Sequence, residues 1–387
     1  MLNDRGIFDL SLFPRRISIN HGMDKHLCFI SMNSVRTIIS FSTSNFIYAD
    51  IELILESGPM MLLNVLDMHE LVNPASYVHR FIHLRYLAIW KIHRSDQFFR
   101  QSSFSKLWNL QILILSFSYN HVFEVPDLIW DLVKLRHIHL LPSALFRCLG
   151  SRRLEDSSVL LENLKSLSKP RLHYGDSNWL SKLPELQKLS CIMFTSWDYS
   201  LQRYQFPELN LCNQLTSLKV ENGAERNERE RCKLHLPENL RKLSLSGFIL
   251  VSDDISEIGK SLPNLEVLKL HNCIENWSVN DEDFPTLKVL KVTGRNWEEW
   301  DASEDSFSSL EQLWLKSCYS LKGIPPRFGD IPCLRLISIE YCSSSVYESA
   351  REIEKIQIDA QNLELKVILK GQDAYETHFY RQSDHWH

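Results

Sequence analysis

The stretch Leu265-Glu266-Val267-Leu268-Lys269-Leu270 decides the fold, because its apolar and polar residues alternate as in a half-buried β-strand. In a strand of period two, Leu268 and Leu270 point to one face and Lys269 points to the other. The pattern L-x-x-L-x-L, with Ile, Val or Met at some positions, recurs along the chain. Clear copies start at Leu63, Leu84, Leu110, Leu135, Leu186, Leu215, Leu240, Leu265, Leu287, Leu310 and Leu334, and weaker ones at Val35 and Leu164.

Successive copies start 21 to 29 residues apart, and the mean of about 25 lies inside the period of leucine-rich repeats. A single copy cannot bury its apolar face alone, so the copies must stack into a parallel sheet. The sequence therefore predicts an α/β leucine-rich-repeat solenoid with a curved parallel β-sheet on the concave face and an irregular, short helical convex face. Cys273, Cys318 and Cys342 each fall three residues after the third apolar position, where we expect buried structural thiols.

Four segments are expected along the chain. They are an N-terminal capping segment (1–34), about 13 leucine-rich repeats (35–345), a C-terminal capping helix and strand (346–370) and a flexible tail (371–387). The stretch Arg16–Ile19 is predicted to form a short strand.

The C-terminal cap is predicted in more detail. Ser345 and Glu348 fit a capping box. A helix follows whose inner face is predicted to carry Val346, Ala350, Ile353 and Ile356, and a closing strand is expected from the alternation of Leu363, Leu365, Val367 and Leu369.

The composition excludes several classes of protein. With 12 Gly and 14 Pro among 387 residues and 44% hydrophobic residues, the chain is neither collagen-like nor disordered. A formal net charge of −5 argues against a nucleic-acid binder. Nine scattered cysteines lack zinc-ligand spacing and indicate a reducing compartment. No uncharged apolar run reaches the ~18 residues of an integral membrane segment. The expected location is cytoplasmic, with peripheral membrane and nuclear locations as alternatives.

No motif in the sequence indicates an enzyme or a cofactor. Gly259-Lys260-Ser261 imitates the end of a phosphate-binding loop, but Asp254 stands where the first glycine is required. His79 and His83 lack the glutamate of a zinc protease motif. We therefore expect that this chain is not an enzyme and contains no catalytic, cofactor or metal site.

Residues that alternate with the buried leucines are expected to form the recognition surface. In the later repeats the candidates are Lys219, Lys242, Lys269, His271, Lys291, Trp314 and Lys316, read as a file of five lysines with one exposed tryptophan. Trp297 and Trp300 join them as candidates because they lie in the acidic stretch 275–305, a composition typical of an interface hot spot. The alternative is that these lysines and acids only neutralise each other and keep the solenoid soluble.

A basic cluster in the early repeats is a second candidate surface. Residues 80–106 contain six basic residues against the single acid Asp96. We expect Arg85, Lys91 and Arg94 to dock an acidic partner, because opposite fields steer and orient such contacts. A solvated basic face is the alternative.

The order of the motifs resembles plant nucleotide-binding leucine-rich-repeat immune receptors, and the solanaceous late blight resistance subfamily in particular. The motifs are an arginine-containing opening at Pro14–Ile19, strands like "LLRVLDL" at Met61–Met68 and "HLRYL" at Phe81–Leu87, an "LPxxIW"-like segment at Val125–Trp130 and an "LKxIP"-like block at Leu321–Pro325. The resemblance covers roughly residues 14–370.

The resemblance implies the repeat domain of an intracellular receptor that acts in the hypersensitive defence response. Its partners would be a pathogen effector or a host target, and the receptor's own nucleotide-binding switch module, which the early repeats would hold closed. ADP or ATP would bind only in that module, and none of these residues matches it. The alternative function is the substrate adaptor of a ubiquitin ligase, of the F-box type, lacking its F-box.

Overall fold

The computed structural model describes residues 15–19, 32–40, 55, 60–69, 77–92, 106–117, 123–125, 127–146, 160–173, 177–194, 196–198, 203–205, 209, 212–224, 234–274, 276–281, 283–303 and 306–371. The chain divides into two compact units: unit 1 is Met1–Arg171 with Asn178–Ser190, and unit 2 is Leu172–Ser177 with Cys191–His387. The repeat spacing gives no sign of this division. The expectations for residues 1–14 and 372–387 lie outside the described residues.

Strands follow the repeat copies along the chain. They are β1 (Arg16–Ile19), β2 (Thr37–Ser40), β3 (Val65–Met68), β4 (Tyr86–Ile92), β5 (Ile112–Phe117), β6 (Phe123–Val125), β7 (His137–Phe146), β8 (Ser166–His173), β9 (Lys188–Phe194), β10 (Ser196–Asp198), β11 (Arg203–Gln205), β12 (Ser217–Asn222), β13 (Lys242–Ser246), β14 (Val267–His271), β15 (Asn276–Val279), β16 (Val289–Thr293), β17 (Glu299–Ala302), β18 (Gln312–Lys316), β19 (Leu336–Glu340) and β20 (Lys366–Lys370). Each strand that follows a copy begins two residues after its first apolar residue, as Val267 follows Leu265.

Each unit contains its own run of parallel neighbours. In unit 1 the order is β1-β2-β3-β4-β5-β7-β8, and β6 pairs with β7; in unit 2 it is β12-β13-β14-β16-β18-β19-β20. Unit 2 also contains the antiparallel pair β10-β11 and the parallel pair β15-β17. The predicted leucine-rich-repeat solenoid is confirmed by this strand order.

Few helices occur among the described residues. They are α1 (Ser177–Leu180), α2 (Ser252–Ser261), α3 (Ser344–Asp359) and 3₁₀ turns at Met32–Ser34, Val78–Arg80, Asp127–Asp131 and Pro326–Asp330. Within this described part of the chain, no helix is both long and apolar enough to span a membrane.

The apolar repeat positions form the core, as predicted. Leu268 is fully buried between its register partners Leu243 and Leu290, which are at most 1% exposed. Two residues further on, Leu270 is 2% exposed. Each fully buried leucine contributes roughly 1.5–3 kcal/mol of hydrophobic stabilisation, so the repeated leucines hold the stacked strands together.

Polar side chains just before the first leucine of a copy tie adjacent turns together. Asn109 Nδ2 donates to Ile82 O at 3.0 Å, Asn239 Nδ2 donates to Asn213 O at 2.9 Å, and Ser309 Oγ donates to Pro285 O at 2.7 Å. These bonds satisfy carbonyl groups in the turns that no strand partner reaches. Cys333 occupies the same position and donates to Ser308 O at 3.3 Å, which gives this thiol a structural role.

The three predicted structural thiols are buried, which confirms the prediction. Cys273 is 4% exposed, and Cys318 and Cys342 are fully buried. A hydrogen bond with the Cys342 thiol, together with burial, raises the pKa of the Cys318 thiol. The residue before each cysteine has a positive φ (51° at Asn272, 54° at Ser317) and turns the chain inward as the strand ends.

The C-terminal helix differs from its prediction in two respects. Its N-cap is Ser343, whose hydroxyl donates to Leu321 O, so the capping box at Ser345 is wrong. Ile356 is 40% exposed, and Gln357 points inward in its place with 2% exposure. The inward amide is satisfied because Gln357 Nε2 donates to Gly329 O at 2.7 Å and to Ile331 O at 2.9 Å.

The closing strand also starts later than predicted. Leu363 is 80% exposed and Leu365 precedes the strand, which is β20. Val367 pairs with Ile337 on the inner face and Ile368 with Ser338 on the open face. Both β20 side chains are only half-buried because β20 is the last strand of its run among the described residues.

Candidate protein-interaction surfaces

The open face of the unit 2 sheet presents three rows of side chains. Residues that alternate with the buried leucines point away from the core, and the parallel register aligns them across the strands. The first row is Ser217, Lys242, Val267, Val289, Gln312, Leu336 and Lys366; the central row is Lys219, Ser244, Lys269, Lys291, Trp314, Ser338 and Ile368; the third row is Glu221, Ser246, His271, Thr293, Lys316, Glu340 and Lys370.

The predicted open-face residues lie on these rows. Exposed members are Lys219, Lys242, Lys269, His271 and Lys316, and half-buried members are Lys291 and Trp314. The expected single file of lysines is wrong, because Ser244 separates Lys219 from Lys269 and the cations are spread over all three rows. Alternation along one strand predicts the face of a residue, whereas its row depends on the register between strands.

Two of these lysines are neutralised by acids on the same face. Lys219 Nζ lies 3.4 Å from Glu221 Oε1, and Lys316 Nζ lies 3.0 Å from Glu340 Oε2. Among the described residues, Lys242, Lys269 and Lys291 have no carboxylate within ion-pair distance. The middle of the open face is therefore positive and its β12 end is close to neutral. On the last strand, β20, the exposed Lys366 and Lys370 add further positive charge.

Lys291 and Trp314 form a contact at the middle of the central row. Lys291 Nζ lies 4.0 Å from the centroid of the Trp314 ring, a cation–π geometry. The indole is oriented by its Nε1, which donates to Gln312 Oε1 at 3.3 Å. Burial and the neighbouring charge of Lys269 lower the pKa of Lys291. The two ammonium groups repel each other, and an anion placed between them would relieve that repulsion.

A further row, called here the leading row, consists of the residues directly before the strands. In unit 1 it is Arg15, Arg36, Asn64, Arg85, Gln111, Arg136, Lys165 and Gln187. Each backbone N–H donates to the carbonyl of the previous member, as Arg85 N does to Asn64 O at 2.8 Å, so neighbours are about one strand spacing of 4.8 Å apart. The row carries five exposed cations and no acid. None of the five has an ion pair among the described residues.

The leading row of unit 2 has a different charge pattern. Its members are Thr216, Arg241, Glu266, Lys288, Glu311 and Arg335. Cations and acids alternate, and Arg241 Nη1 lies 3.3 Å from Glu266 Oε1. This row neutralises itself, whereas the unit 1 row does not.

The predicted basic cluster of the early repeats is only partly described. Arg85 is exposed on the leading row of unit 1, Lys91 is half-buried on β4, and Arg94 lies outside the described residues. Sequence reasoning missed the other cations of the row, since they belong to different repeats. The signal was present, because every member after Arg15 directly follows the first apolar residue of a copy, as Arg136 follows Leu135.

Trp297 and Trp300 belong to the core, so their interpretation as surface residues is wrong. Trp297 is fully buried and Trp300 is 8% exposed. Trp300 stacks on Trp277, its register partner across β15 and β17, with ring centroids 5.7 Å apart. Both indoles point inward, whereas Glu299 and Asp301 on either side of Trp300 are exposed. These two acids of the stretch form the solvent-facing side of β17.

The open face of unit 1 contains a carboxylate between two aromatic rings. Tyr86 Oη donates to Asp67 Oδ2 at 3.1 Å, and Trp90 Nε1 donates to Asp67 Oδ1 at 2.8 Å. Burial, followed by the charge and the hydrogen bond of Asp67, raises the pKa of Tyr86 to about 12. Trp90 is 40% exposed and held in a fixed orientation. Sequence reasoning missed this group because its members come from two repeats.

Two features of unit 2 bear on cofactor binding. Gly259-Lys260-Ser261 lies at the C-terminal end of α2, whereas a phosphate-binding loop leads into the N-terminal end of a helix. Gly259 packs against the Phe284 ring, which a Cβ would approach to 3.1 Å. Among the described residues no group of three or more His, Cys, Asp or Glu side chains could hold a metal ion.

No protein-family model matches the sequence. One late blight resistance protein homolog of Solanum demissum is 36% identical over 324 residues, which are 81% of this chain and 24% of that protein. Another is 32% identical over 396 residues, which are 94% of this chain and 28% of that protein. The chain thus spans about a quarter of the length of these relatives.

Solved structures resemble the chain at low sequence identity. An internalin of Listeria monocytogenes has 13% identity and a TM-score of 0.46, covering 87% of this chain and 80% of that chain. The leucine-rich-repeat ectodomain of a plant membrane receptor kinase from Arabidopsis thaliana has 13% identity and a TM-score of 0.45, covering 92% of this chain and 43% of that chain. The fold assignment depends on the strand register above and not on these likenesses.

The relatives confirm the resemblance to late blight resistance proteins, and the strand register confirms the repeat fold. The chain is a leucine-rich-repeat solenoid homologous to part of the late blight resistance protein homologs.

Proposed function

We propose that this chain is the protein-recognition domain of an intracellular plant immune receptor that acts in the cytoplasm. It contributes to recognition of a pathogen effector or its host target, and to autoinhibition before the hypersensitive response. Homology to resistance proteins and a sheet that exposes charged and aromatic side chains support this proposal. ADP or ATP would be bound by the receptor's switch module.

The leading row of unit 1 carries the autoinhibitory half of the proposal. Five exposed cations without ion pairs among the described residues form a field that an acidic surface would neutralise. The nucleotide-binding switch module of the same receptor is the partner proposed for this row. Such complementarity fixes the orientation of a docked domain more than it adds affinity.

The open face of unit 2 is proposed as the surface that recognises the effector or host target. Its central row places Lys269, Lys291 and Trp314 side by side on a rigid sheet, and none of them is needed to bury the core. A partly exposed tryptophan next to cations is typical of residues that dominate binding energy.

Transient expression in leaves tests both halves. The chain is expressed joined to a switch module. Changing Arg36, Arg85 and Arg136 together to Glu should then release inhibition and cause cell death without a pathogen. The matched control changes Arg241, Lys288 and Arg335 to Glu on the self-neutralising row of unit 2, and should stay silent.

The recognition half predicts the opposite phenotype. Changing Lys269, Lys291 and Trp314 together to Ala should abolish the effector-triggered response and leave the resting state silent. Equal cell death from both charge-reversed rows would contradict the autoinhibition proposal, and an intact triggered response in the triple alanine variant would contradict the recognition proposal.

A further inference from the structure

We propose that the open face of unit 2 binds an extended acidic segment of its protein partner, whose carboxylates contact Lys242, Lys269 and Lys291. This inference rests on the proposal that the same face is the recognition surface. It adds the chemistry of the partner.

The charges of the open face support an anionic ligand. Lys242, Lys269 and Lys291 lie on the three consecutive strands β13, β14 and β16 and have no carboxylate partner among the described residues. Lys219 and Lys316, nearer the two ends of the rows, already bind Glu221 and Glu340. Positive charge that the fold does not neutralise therefore lies on these three adjacent strands, and again on the last strand, β20, at Lys366 and Lys370.

The spacing of the lysines favours several carboxylates over one compact anion. Lys269 and Lys291 are register partners, about 4.8 Å apart at the backbone. Lys242 is the partner of Val267, two residues before Lys269 on the adjacent strand, which places it roughly 8 Å from Lys269. Alternate side chains of an extended peptide are about 7 Å apart. The Lys242–Lys269 spacing is close to this repeat, and one carboxylate can bridge the closer pair Lys269 and Lys291. An extended segment with acids at alternate positions therefore fits the three lysines.

Apolar side chains on the same face can receive the rest of such a segment. Val267 and Val289 of the first row are half-buried beside Lys242, and Trp314 follows Lys291 in the central row. The indole is held by Gln312 and by Lys291, so little side-chain freedom would be lost on binding.

The test uses a fluorescent nine-residue peptide of alternating glutamate and serine, with a peptide of alternating glutamine and serine as its control. Fluorescence anisotropy at low salt should show binding of the glutamate peptide alone. The change of Lys269 and Lys291 together to Ala should weaken it by about tenfold, at roughly 0.7 kcal/mol for each exposed charge contact. Lys322→Ala, which removes one charge at a lysine paired with Glu299, should not alter it.

A second pair of variants should strengthen binding. Glu221→Gln and Glu340→Gln release Lys219 and Lys316 from their ion pairs, so the affinity for the glutamate peptide should rise severalfold. Thermal unfolding measured alongside shows that each variant is folded.

Three results would overturn the inference: equal binding of both peptides, unchanged affinity in the Lys269/Lys291 variant, or equal competition by a single-stranded oligonucleotide of the same charge. The last would show only general polyanion adhesion. If the peptide fails while the triple alanine variant still loses the triggered response, only the acidic chemistry of the partner is wrong. If that response also survives, the recognition proposal is wrong as well.

Discussion

The leading rows of the two units occupy the same position of the repeat and carry opposite charge patterns. In unit 1 five cations stand in the row without an acid, whereas in unit 2 Arg241, Glu266, Lys288, Glu311 and Arg335 alternate in sign. Alternation is the arrangement that lowers the electrostatic energy of a row of neighbours. A fold that needed only solubility would be served by the unit 2 pattern in both places. The unit 1 row departs from that pattern, and it is the row for which we propose an acidic partner.

The largest expected effect is the loss of unfolding free energy when a core leucine is removed, compared with the loss when its neighbour in the leading row is removed. Leu135→Ala in unit 1 and Leu265→Ala in unit 2 remove fully buried side chains and should each cost about 3 kcal/mol of unfolding free energy. Arg136→Ala and Glu266→Ala, one residue further on, should each cost under about 0.5 kcal/mol. Urea denaturation of the four variants measures the difference. A large loss of unfolding free energy from Arg136→Ala would show that the row stabilises the fold. The charge difference between the two leading rows would then have a structural explanation and would not point to a partner.

A smaller effect should follow from exchanging the charge patterns. Lys165→Glu places an acid beside Arg136, as Glu266 lies beside Arg241, and should stabilise unit 1 by roughly 0.5 kcal/mol. Glu266→Lys creates the repulsion of unit 1 in unit 2 and should destabilise it by about the same amount. Both effects should disappear at about 1 M salt, where the Debye length is about 3 Å. Effects of equal sign in both units would contradict the electrostatic difference between the rows.

The smallest expected effect is the titration of His137, which reports the field of the unit 1 row. Burial, followed by Lys188, Arg136 and Lys165, lowers its pKa below the ordinary 6.5. The contribution of His137 to stability is therefore present above pH 6.5 and lost as the pH falls through the folded-state pKa. NMR titration should show the pKa rising after Arg136→Glu, and rising in wild type with added salt. A pKa indifferent to both would mean that burial alone sets it.

Periodicity predicted much of the fold because every repeat must bury the apolar face of its strand. The strands, the inward leucines and the outward lysines all follow from alternation in a single copy, as Leu268, Lys269 and Leu270 illustrate. Rows across strands were harder to predict, since they depend on register between copies. Aligning the residue after each first leucine would have revealed the leading row.

The wrong predictions concern residues whose burial depends on their immediate neighbours and not on the composition of the stretch. Trp297 and Trp300 lie among acids, yet the alternation Glu299-Trp300-Asp301-Ala302 already marks a strand with one apolar face. Gln357 replaced the neighbouring Ile356 inside because two carbonyls at the end of a 3₁₀ turn needed a donor. Only the tertiary structure shows that requirement.

The most direct test of the difference between the rows is the affinity of a purified switch module for three forms of this chain. Biolayer interferometry at low salt compares wild type, Arg36, Arg85 and Arg136 changed together to Glu, and Arg241, Lys288 and Arg335 changed together to Glu. The unit 1 variant should lose on the order of thirtyfold in affinity, at roughly 0.7 kcal/mol per reversed charge, and the unit 2 variant should stay near wild type. Equal losses, or a loss confined to the unit 2 variant, would contradict the assignment of the docking surface to unit 1.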